Sequence, residues 1–152
     1  VERATTLDAV FERELAHAGD LKIIQKRERF THNTWAHNVA AFIKGDRSTN
    51  YLYIHSADAA ARGLADGDMA RVSAGGRHIE VPVRIDDDML PGSVAVPHGW
   101  GHQQAQGLNV ARGTTGVNVN IILPDGPDSI EPLSGMSHMN GVRVEVAAVA
   151  GG

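Results

Sequence analysis

The chain has 152 residues, of which 42% are hydrophobic and only 5% aromatic, and it carries a formal net charge of −4. This length suits one domain with a core of Val, Ile, Leu and Ala. The charge does not resemble the basic footprint of a nucleic-acid-binding protein. The sequence has no cysteine, which excludes disulfides, thiolate metal sites and iron–sulfur ligation by this chain. Because the chain begins at Val1 rather than Met, we expect a processed protein or a piece of a longer one.

The first predicted element is an amphipathic helix over residues 5–18, ended by Gly19. Four apolar residues recur at helical spacing on one face: Leu7, Val10, Phe11 and Leu15. A helix of this kind needs an apolar partner. We therefore assign residues 1–20 to a helix or linker from a preceding region and residues 21–150 to one domain.

Short strand patterns follow from Leu21 onward, separated by Gly, Pro and Asp turn signals. The clearest is RHIEVPVRI after Gly75-Gly76, where apolar and polar residues alternate and Pro82 predicts an edge-like or bulged strand. One short helix is predicted around AAARGL, with Ser56 or Asp58 as its N-cap and Gly63 as its end. An alternating pattern also runs through Asn118 and Asn120.

About seven short strands are predicted in total. Regular turn signals between short strands favour a closed β-barrel over a βαβ sheet. The aspartate run Asp86 to Asp88 lacks the ligand spacing of a calcium loop, so we interpret it as a solvated turn.

Three loop regions concentrate polar and aromatic groups, namely residues 27–38, 98–120 and 125–141. If the barrel brings them to one end, they form a composite polar face, since loops at strand ends are where scaffolds place binding groups. Lys26 and Arg27 would then offer charge to a phosphate, Arg27 in a bidentate manner.

The same loops carry groups suited to a flat heterocycle. Asn118 and Asn120 offer paired donors and acceptors, and Trp35 or Trp100 offers a stacking surface. Glycine amides can approach a pyrophosphate closely. Together these groups predict a nucleotide-like ligand with a heterocycle and phosphates.

Metal and nucleophile chemistry have weaker support. His98 and His102 are four residues apart, but Gly99 and Gly101 disfavour the helix that would align their imidazoles, and no HEXXH motif is present. No serine lies on a G-x-S-x-G turn. We therefore predict neither a metal ligand nor a catalytic residue in this chain.

Four segments in order resemble the C-terminal molybdopterin dinucleotide-binding domain of the dimethyl sulfoxide reductase family of molybdenum oxidoreductases, which includes formate dehydrogenases and nitrate reductases. They are RERFTHNTWAHN, LYIHSADAAARGLADGDMARV, VPVRIDDDMLPGSVAVPHGWGH and GVNVNIILPDGPDSIEPLSGMSHMNGVRVEV. The resemblance covers residues 21–149. It implies a mainly β fold, a double-psi β-barrel with one or two short helices besides the N-terminal one.

The resemblance also implies a cofactor, bis(molybdopterin guanine dinucleotide), whose molybdenum or tungsten is held mainly by other domains. Iron–sulfur clusters would likewise lie in other parts of the parent enzyme. Carried over by motif, the cofactor-binding residues are Arg27, His32, Asn33, Thr34, Trp35, His98, Gly99, Trp100, Asn118 and Asn120. The first loop departs from the family pattern, because it reads Lys26-Arg27 and His32-Asn33-Thr34-Trp35 where arginine pairs and Asn-Asn-Ser-Trp are expected.

The resemblance predicts a cofactor-binding domain of a larger oxidoreductase that is inactive alone, with the rest of the parent enzyme as its partner. We expect a cytoplasmic location, with the periplasm left open, and neither nucleic-acid binding nor membrane insertion. Two alternatives stay open. One is a double-psi barrel that serves as an adaptor without cofactor, and the other is a small hydrolase with His98 or His102 as base.

Overall fold

The computed structural model describes residues 2–30, 34–131 and 134–149. Its helices and strands run in the order α1 (Glu2–Leu15), β1 (Leu21–Lys26), β2 (Leu52–Ile54), α2 (Ser56–Ala60), β3 (Met69–Ala74), β4 (Arg77–Ile85), β5 (Ser93–Pro97) and β6 (Val142–Ala148). Within these residues no helix is both long and apolar enough to cross a bilayer. His32 and Asn33 of the predicted site lie outside the described ranges.

The six strands form a closed barrel in the order β1-β5-β2-β4-β3-β6. β1 runs parallel to β5 and β2 parallel to β4, while the other pairs are antiparallel. The predicted closed, mainly β architecture is therefore confirmed, and it is consistent with a double-psi barrel. The core consists of small aliphatic side chains pointing inward, as the scarcity of aromatic residues required.

The hairpin between β3 and β4 follows its sequence signal closely. Gly75 and Gly76 have φ values of +57° and +76°, which a two-residue hairpin turn of this hand needs at both positions. On β4, Ile79, Val81 and Val83 are buried, as their alternation predicted.

Pro82 does not mark an edge strand, which corrects that expectation. β4 pairs with β3 up to Met69↔Pro82 and with β2 from Leu52↔Val83 onward. Pro82 therefore lies where β4 passes from one neighbour to the other. A strand inside a closed barrel accepts proline at such a position because the missing N–H interrupts neither ladder.

The alternating segment around Asn118 is not a strand, so six strands are observed in the described residues rather than about seven. Residues Val119–Ile121 form a single 3-10 turn. The Asn118 side-chain oxygen accepts a hydrogen bond from Asn120 N at 3.0 Å. Such a local side-chain bond offers the backbone an alternative to a sheet ladder.

The cap of α2 also differs from the prediction. His55 Nδ1 accepts from Ala57 N at 3.1 Å and is the N-cap. Asp58 instead accepts from Gly92 N at 2.7 Å, which joins the helix to the turn before β5. The backbone N–H of Ser56 donates to Asp87, in the aspartate turn.

Helix α1 begins and ends three residues earlier than predicted, and its apolar face does not pack on the barrel. Leu7 and Phe11 remain 69% and 63% exposed. The helix is joined to the barrel through Glu14, which accepts from Lys22 at 2.7 Å and from Arg143 at 3.1 Å. The hydrogen bond from Lys22 holds the pKa of Glu14 below its usual range.

Candidate functional site

The candidate site lies at the end of the barrel where the two parallel strands β1 and β5 finish together. Their register pairs Lys26 with Pro97, so the next residues of each chain segment, Arg27 and His98, leave the sheet side by side. Adjacent parallel strands necessarily deliver the loops that follow their carboxyl ends to the same edge, where ligand sites commonly form.

A cleft of about 470 Å³ opens at this end. All three polar loop regions identified in the sequence contribute to it. The first gives Arg27 and Thr34, preceded by Gln25 of β1; the second gives His98, Gly99 and Asn120; the third gives Met136, Ser137, Met139 and Asn140. The composite polar face therefore exists, and five predicted site residues lie on it: Arg27, Thr34, His98, Gly99 and Asn120.

The lining of the cleft favours an anion. It contains Arg27 and several amides but no carboxylate, although the chain as a whole has a net charge of −4. Arg27 is exposed, and no ion pair or hydrogen bond engages its guanidinium in the part of the chain that the structure describes. A guanidinium in this state can take a phosphate or carboxylate in a bidentate manner.

Asn50, which the sequence reading missed, holds the loops of the cleft in place. It is fully buried, and its amide nitrogen donates to Pro97 O at 2.9 Å and to Val117 O at 3.0 Å. Its side-chain oxygen accepts from Val117 N at 3.0 Å. Asn50 thus fixes the residue before His98 and the residue before Asn118.

Two further side chains stabilise these loops, one between the first and second loops and one within the second. Asn38 accepts hydrogen bonds from Val110 N and Ala111 N, which ties the first polar loop to the second. Gln103 donates to Thr114 O and Gly116 O across the Gly-rich loop. The polar residues of these loops therefore satisfy backbone groups as well as lining a surface.

Trp100 does not offer an open stacking face. Its side chain is only 3% exposed, and its ring lies 4.3 Å from the ring of the fully buried His37. Gly116 lies so close to the indole that an added Cβ would overlap it. Trp100 therefore packs between His37 and Gly116, and its Nε1 makes no hydrogen bond with any described residue.

The remaining predicted residues are distributed around the cleft. Trp35 is 80% exposed and available for stacking, but it is not part of the lining. The Asn118 side-chain oxygen accepts a local bond from Asn120 N, and Asn120 itself lines the cleft.

Lys26 points away from the cleft. Its ammonium lies 4.4 Å from the centre of the Tyr53 ring, on the face of β2 opposite to the buried Leu52 and Ile54. Burial and the neighbouring Glu28 carboxylate raise the pKa of Tyr53 to about 12. Of the two cations proposed for phosphate, only Arg27 is in place.

Gln25 and Asn140 also line the cleft, and neither was singled out by its sequence context. The Asn140 side-chain oxygen accepts from Gln25 N at 2.7 Å, which attaches the third loop to the end of β1. The available signal was periodicity: Gln25 continues the inward-facing series Leu21 and Ile23, so a polar residue there must face the barrel end.

A second, larger cavity of about 560 Å³ lies at the opposite end of β1, against Leu21, Arg143 and the Gly75-Gly76 turn. Its arginines are engaged: Arg143 with Glu14, and Arg62 with Asp58. No described residue of the three polar loops lines it. We therefore place the functional site at the smaller cleft. Among the described residues no group of three or more His, Asp or Glu side chains is arranged to hold a metal ion.

Comparison with known families agrees with this geometry. The family model described as Molydopterin dinucleotide binding domain matches residues 21–143. The chain belongs to this family. The matched range contains the whole cleft, from Gln25 to Asn140, and excludes α1.

Similar proteins are much longer than this molybdopterin dinucleotide-binding domain. It is 33% identical over 138 residues to the molybdopterin-containing subunit of an arsenate respiratory reductase from Chrysiogenes arsenatis, matching 84% of this chain and 16% of that protein. It is 37% identical over 51 residues to a subunit of the NADH-quinone oxidoreductase from Yersinia pestis, matching 34% of this chain and 6% of that protein.

The fold recurs in a solved structure, that of acetylene hydratase from Pelobacter acetylenicus. The TM-score is 0.67 at 16% sequence identity, covering 91% of this chain and 19% of that one. The domain thus spans about a fifth or less of each of these relatives.

Proposed function

We propose that this domain binds the dinucleotide half of a molybdopterin guanine dinucleotide cofactor, as the C-terminal domain of a larger molybdenum-dependent oxidoreductase. The observation that carries the proposal is the cleft at the carboxyl ends of β1 and β5. Among the described residues its lining has no carboxylate, and none of them pairs with the Arg27 guanidinium. It lies within the range that matches the family.

The residues present fit such a group. Arg27 offers charge-assisted donors to the phosphate oxygens. Gly99 has φ +92°, a backbone conformation that residues with a side chain rarely adopt, and it lies beside Thr34 and the buried His37 in the lining of the cleft. His98 and Asn120 add hydrogen-bonding groups to the lining of the cleft.

When bound, the cofactor supplies the redox chemistry at its metal. This domain holds and orients the dinucleotide, and its amides and guanidinium set the polarity around it. The metal ligand and any iron–sulfur cluster belong to other domains of the parent, so the isolated chain does not turn over substrate. The relatives are named for arsenate reduction, NADH–quinone oxidoreduction and acetylene hydration, which supports a role for the shared domain that does not depend on the substrate.

The proposal is tested by calorimetric titration of the 152-residue chain with GDP, which carries the guanosine and diphosphate of the cofactor. We expect saturable binding that Arg27→Gln weakens by roughly tenfold or more, since a hydrogen bond to a charged group contributes about 1.5–3 kcal/mol. Arg112→Gln is the matched control, because Arg112 is exposed and lies outside the cleft. Equal dissociation constants for the wild type and Arg27→Gln would contradict the proposal.

A further inference from the structure

Gln25 carries a buried donor that the fold leaves without an acceptor. It occupies an inward-facing position of β1, directly after Leu21 and Ile23 in the alternation. Its Nε2 is shielded from solvent and makes no hydrogen bond with any described residue. A buried donor in this state lowers stability, and a well-packed apolar residue of the same size would avoid the penalty.

The position of Gln25 relates this penalty to the cleft. Gln25 lines the cleft two residues before Arg27. Its backbone is fixed there, because its N–H donates to the Asn140 side chain at 2.7 Å. The main chain of Gln25 is also paired with Val96 of β5, whereas the three torsions of the side chain let the carboxamide turn toward the cleft.

Gln103 is a glutamine of this chain whose amide nitrogen has partners within the fold. The Gln103 amide nitrogen donates to two backbone carbonyls, Thr114 O at 3.1 Å and Gly116 O at 2.8 Å. Gln25 makes no bond of this kind. Buried polar groups in native proteins are nearly always paired, so an exception calls for a partner outside the fold.

We propose that Gln25 is a ligand-contacting residue, whose carboxamide donates a hydrogen bond to an acceptor oxygen of the dinucleotide in the cleft. The inference rests on the proposed function and adds to it a recognition residue absent from the sequence motifs. The oxygen belongs to the diphosphate, because Arg27 lies on the same stretch of chain and offers its guanidinium to the same cleft.

The test is Gln25→Leu, which keeps the size of the side chain and removes the donor. Two quantities are measured on the 152-residue chain: the urea midpoint of unfolding and the dissociation constant for GDP. We expect a midpoint equal to or above that of the wild type, together with roughly threefold to tenfold weaker GDP binding. A glutamine with only a structural role would show the reverse, a lower midpoint and unchanged binding.

Gln106→Leu is the control, since Gln106 is exposed and lies outside the cleft, and it should change neither quantity. If Gln25→Leu does not fold, Gln25→Met carries the same two measurements. Unchanged GDP affinity in a folded variant, or failure of both variants to fold, overturns the inference and leaves the proposed function standing. Absence of saturable GDP binding by the wild type overturns both.

Discussion

Replacing Asn50 should damage both the stability of the barrel and the geometry of the cleft. Its buried side chain makes three hydrogen bonds, with Pro97 O, Val117 O and Val117 N. At about 1 kcal/mol net for each bond, Asn50→Ala should cost about 3 kcal/mol of unfolding free energy, and more if the freed groups find no water. This is a large fraction of the roughly 5–15 kcal/mol that stabilises a typical domain.

A second variant tests the donors separately. Asn50→Asp keeps an acceptor for Val117 N but turns a carboxylate toward the carbonyls of Pro97 and Val117. It should be less stable than Asn50→Ala at neutral pH, and it should recover as the pH falls, because the protonated carboxyl again offers a donor. Urea unfolding at pH 7 and pH 5 measures both effects.

Asn109→Ala is the control for these variants. Asn109 is exposed, and its replacement should change the free energy by no more than about 0.5 kcal/mol. A cost below about 1 kcal/mol for Asn50→Ala, in the range typical of a single hydrogen bond, would refute the claim that Asn50 holds the two loops.

Two more predictions follow from local geometry. Gly116→Ala should lower the free energy of unfolding by about 1–3 kcal/mol and alter tryptophan fluorescence, because the new Cβ would overlap the Trp100 ring. Gly113→Ala is the control, since its Cβ would meet nothing within 4 Å. Equal stability of the two variants would contradict the packing of Gly116 on Trp100. In an ultraviolet titration the Tyr53 phenol should ionise with a pKa of about 12, and Tyr53→Phe should remove that ionisation step. Because the pKa of Tyr53 is raised in the folded state, burial of the neutral phenol stabilises the fold fully below the ordinary pKa of 10. This stabilisation is lost as the pH rises toward 12. Ionisation of Tyr53 near its ordinary pKa would contradict the burial of this side chain.

Much of the barrel was predictable because its strands follow simple local rules. The alternation on β4 and the Gly75-Gly76 turn specify a half-buried strand and a tight hairpin without reference to distant residues. The convergence of the first two polar loops follows once β1 and β5 are parallel neighbours. The third loop reaches the same end because β6, which comes after it, pairs antiparallel with β1. The pairing itself is set by contacts far apart in sequence, and composition or periodicity alone does not reveal it.

The wrong predictions share a cause, which is that local signals were outweighed by partners distant in sequence or by a side-chain bond. Aspartate is a common N-cap residue, but the Asp58 carboxylate instead accepts a hydrogen bond from the distant Gly92 N. The segment at Asn118 has a strand-like alternation, yet the bond from Asn120 N to the Asn118 side chain turns it. Pro82 signals an edge only when the sheet has one.

The site was predicted in part for similar reasons. Motif resemblance located Arg27, His98, Gly99 and Asn120, which line the cleft. It could not show that Trp100 is buried, because that depends on Gly116, later in the same loop region, and on His37 from the first loop region.

Gln25 could have been noticed from the alternation that points it inward with Leu21 and Ile23. Asn50 could not, because an isolated amide in a sequence carries no sign of whether it is buried or paired. Their roles depend on the closed barrel, which places Asn50 between two loops and Gln25 in the lining of the cleft.

The proposed dinucleotide site at the carboxyl ends of β1 and β5 can be located directly. The measurement is a titration of the domain with GDP, followed by its backbone amide chemical shifts. We expect saturable shifts at Gln25, Arg27, His98 and Asn120, with the shifts of the Gly75-Gly76 turn at the opposite cavity unchanged. Shifts centred on Gly75, Gly76 and Arg143, or no saturable shifts at the cleft, would contradict it.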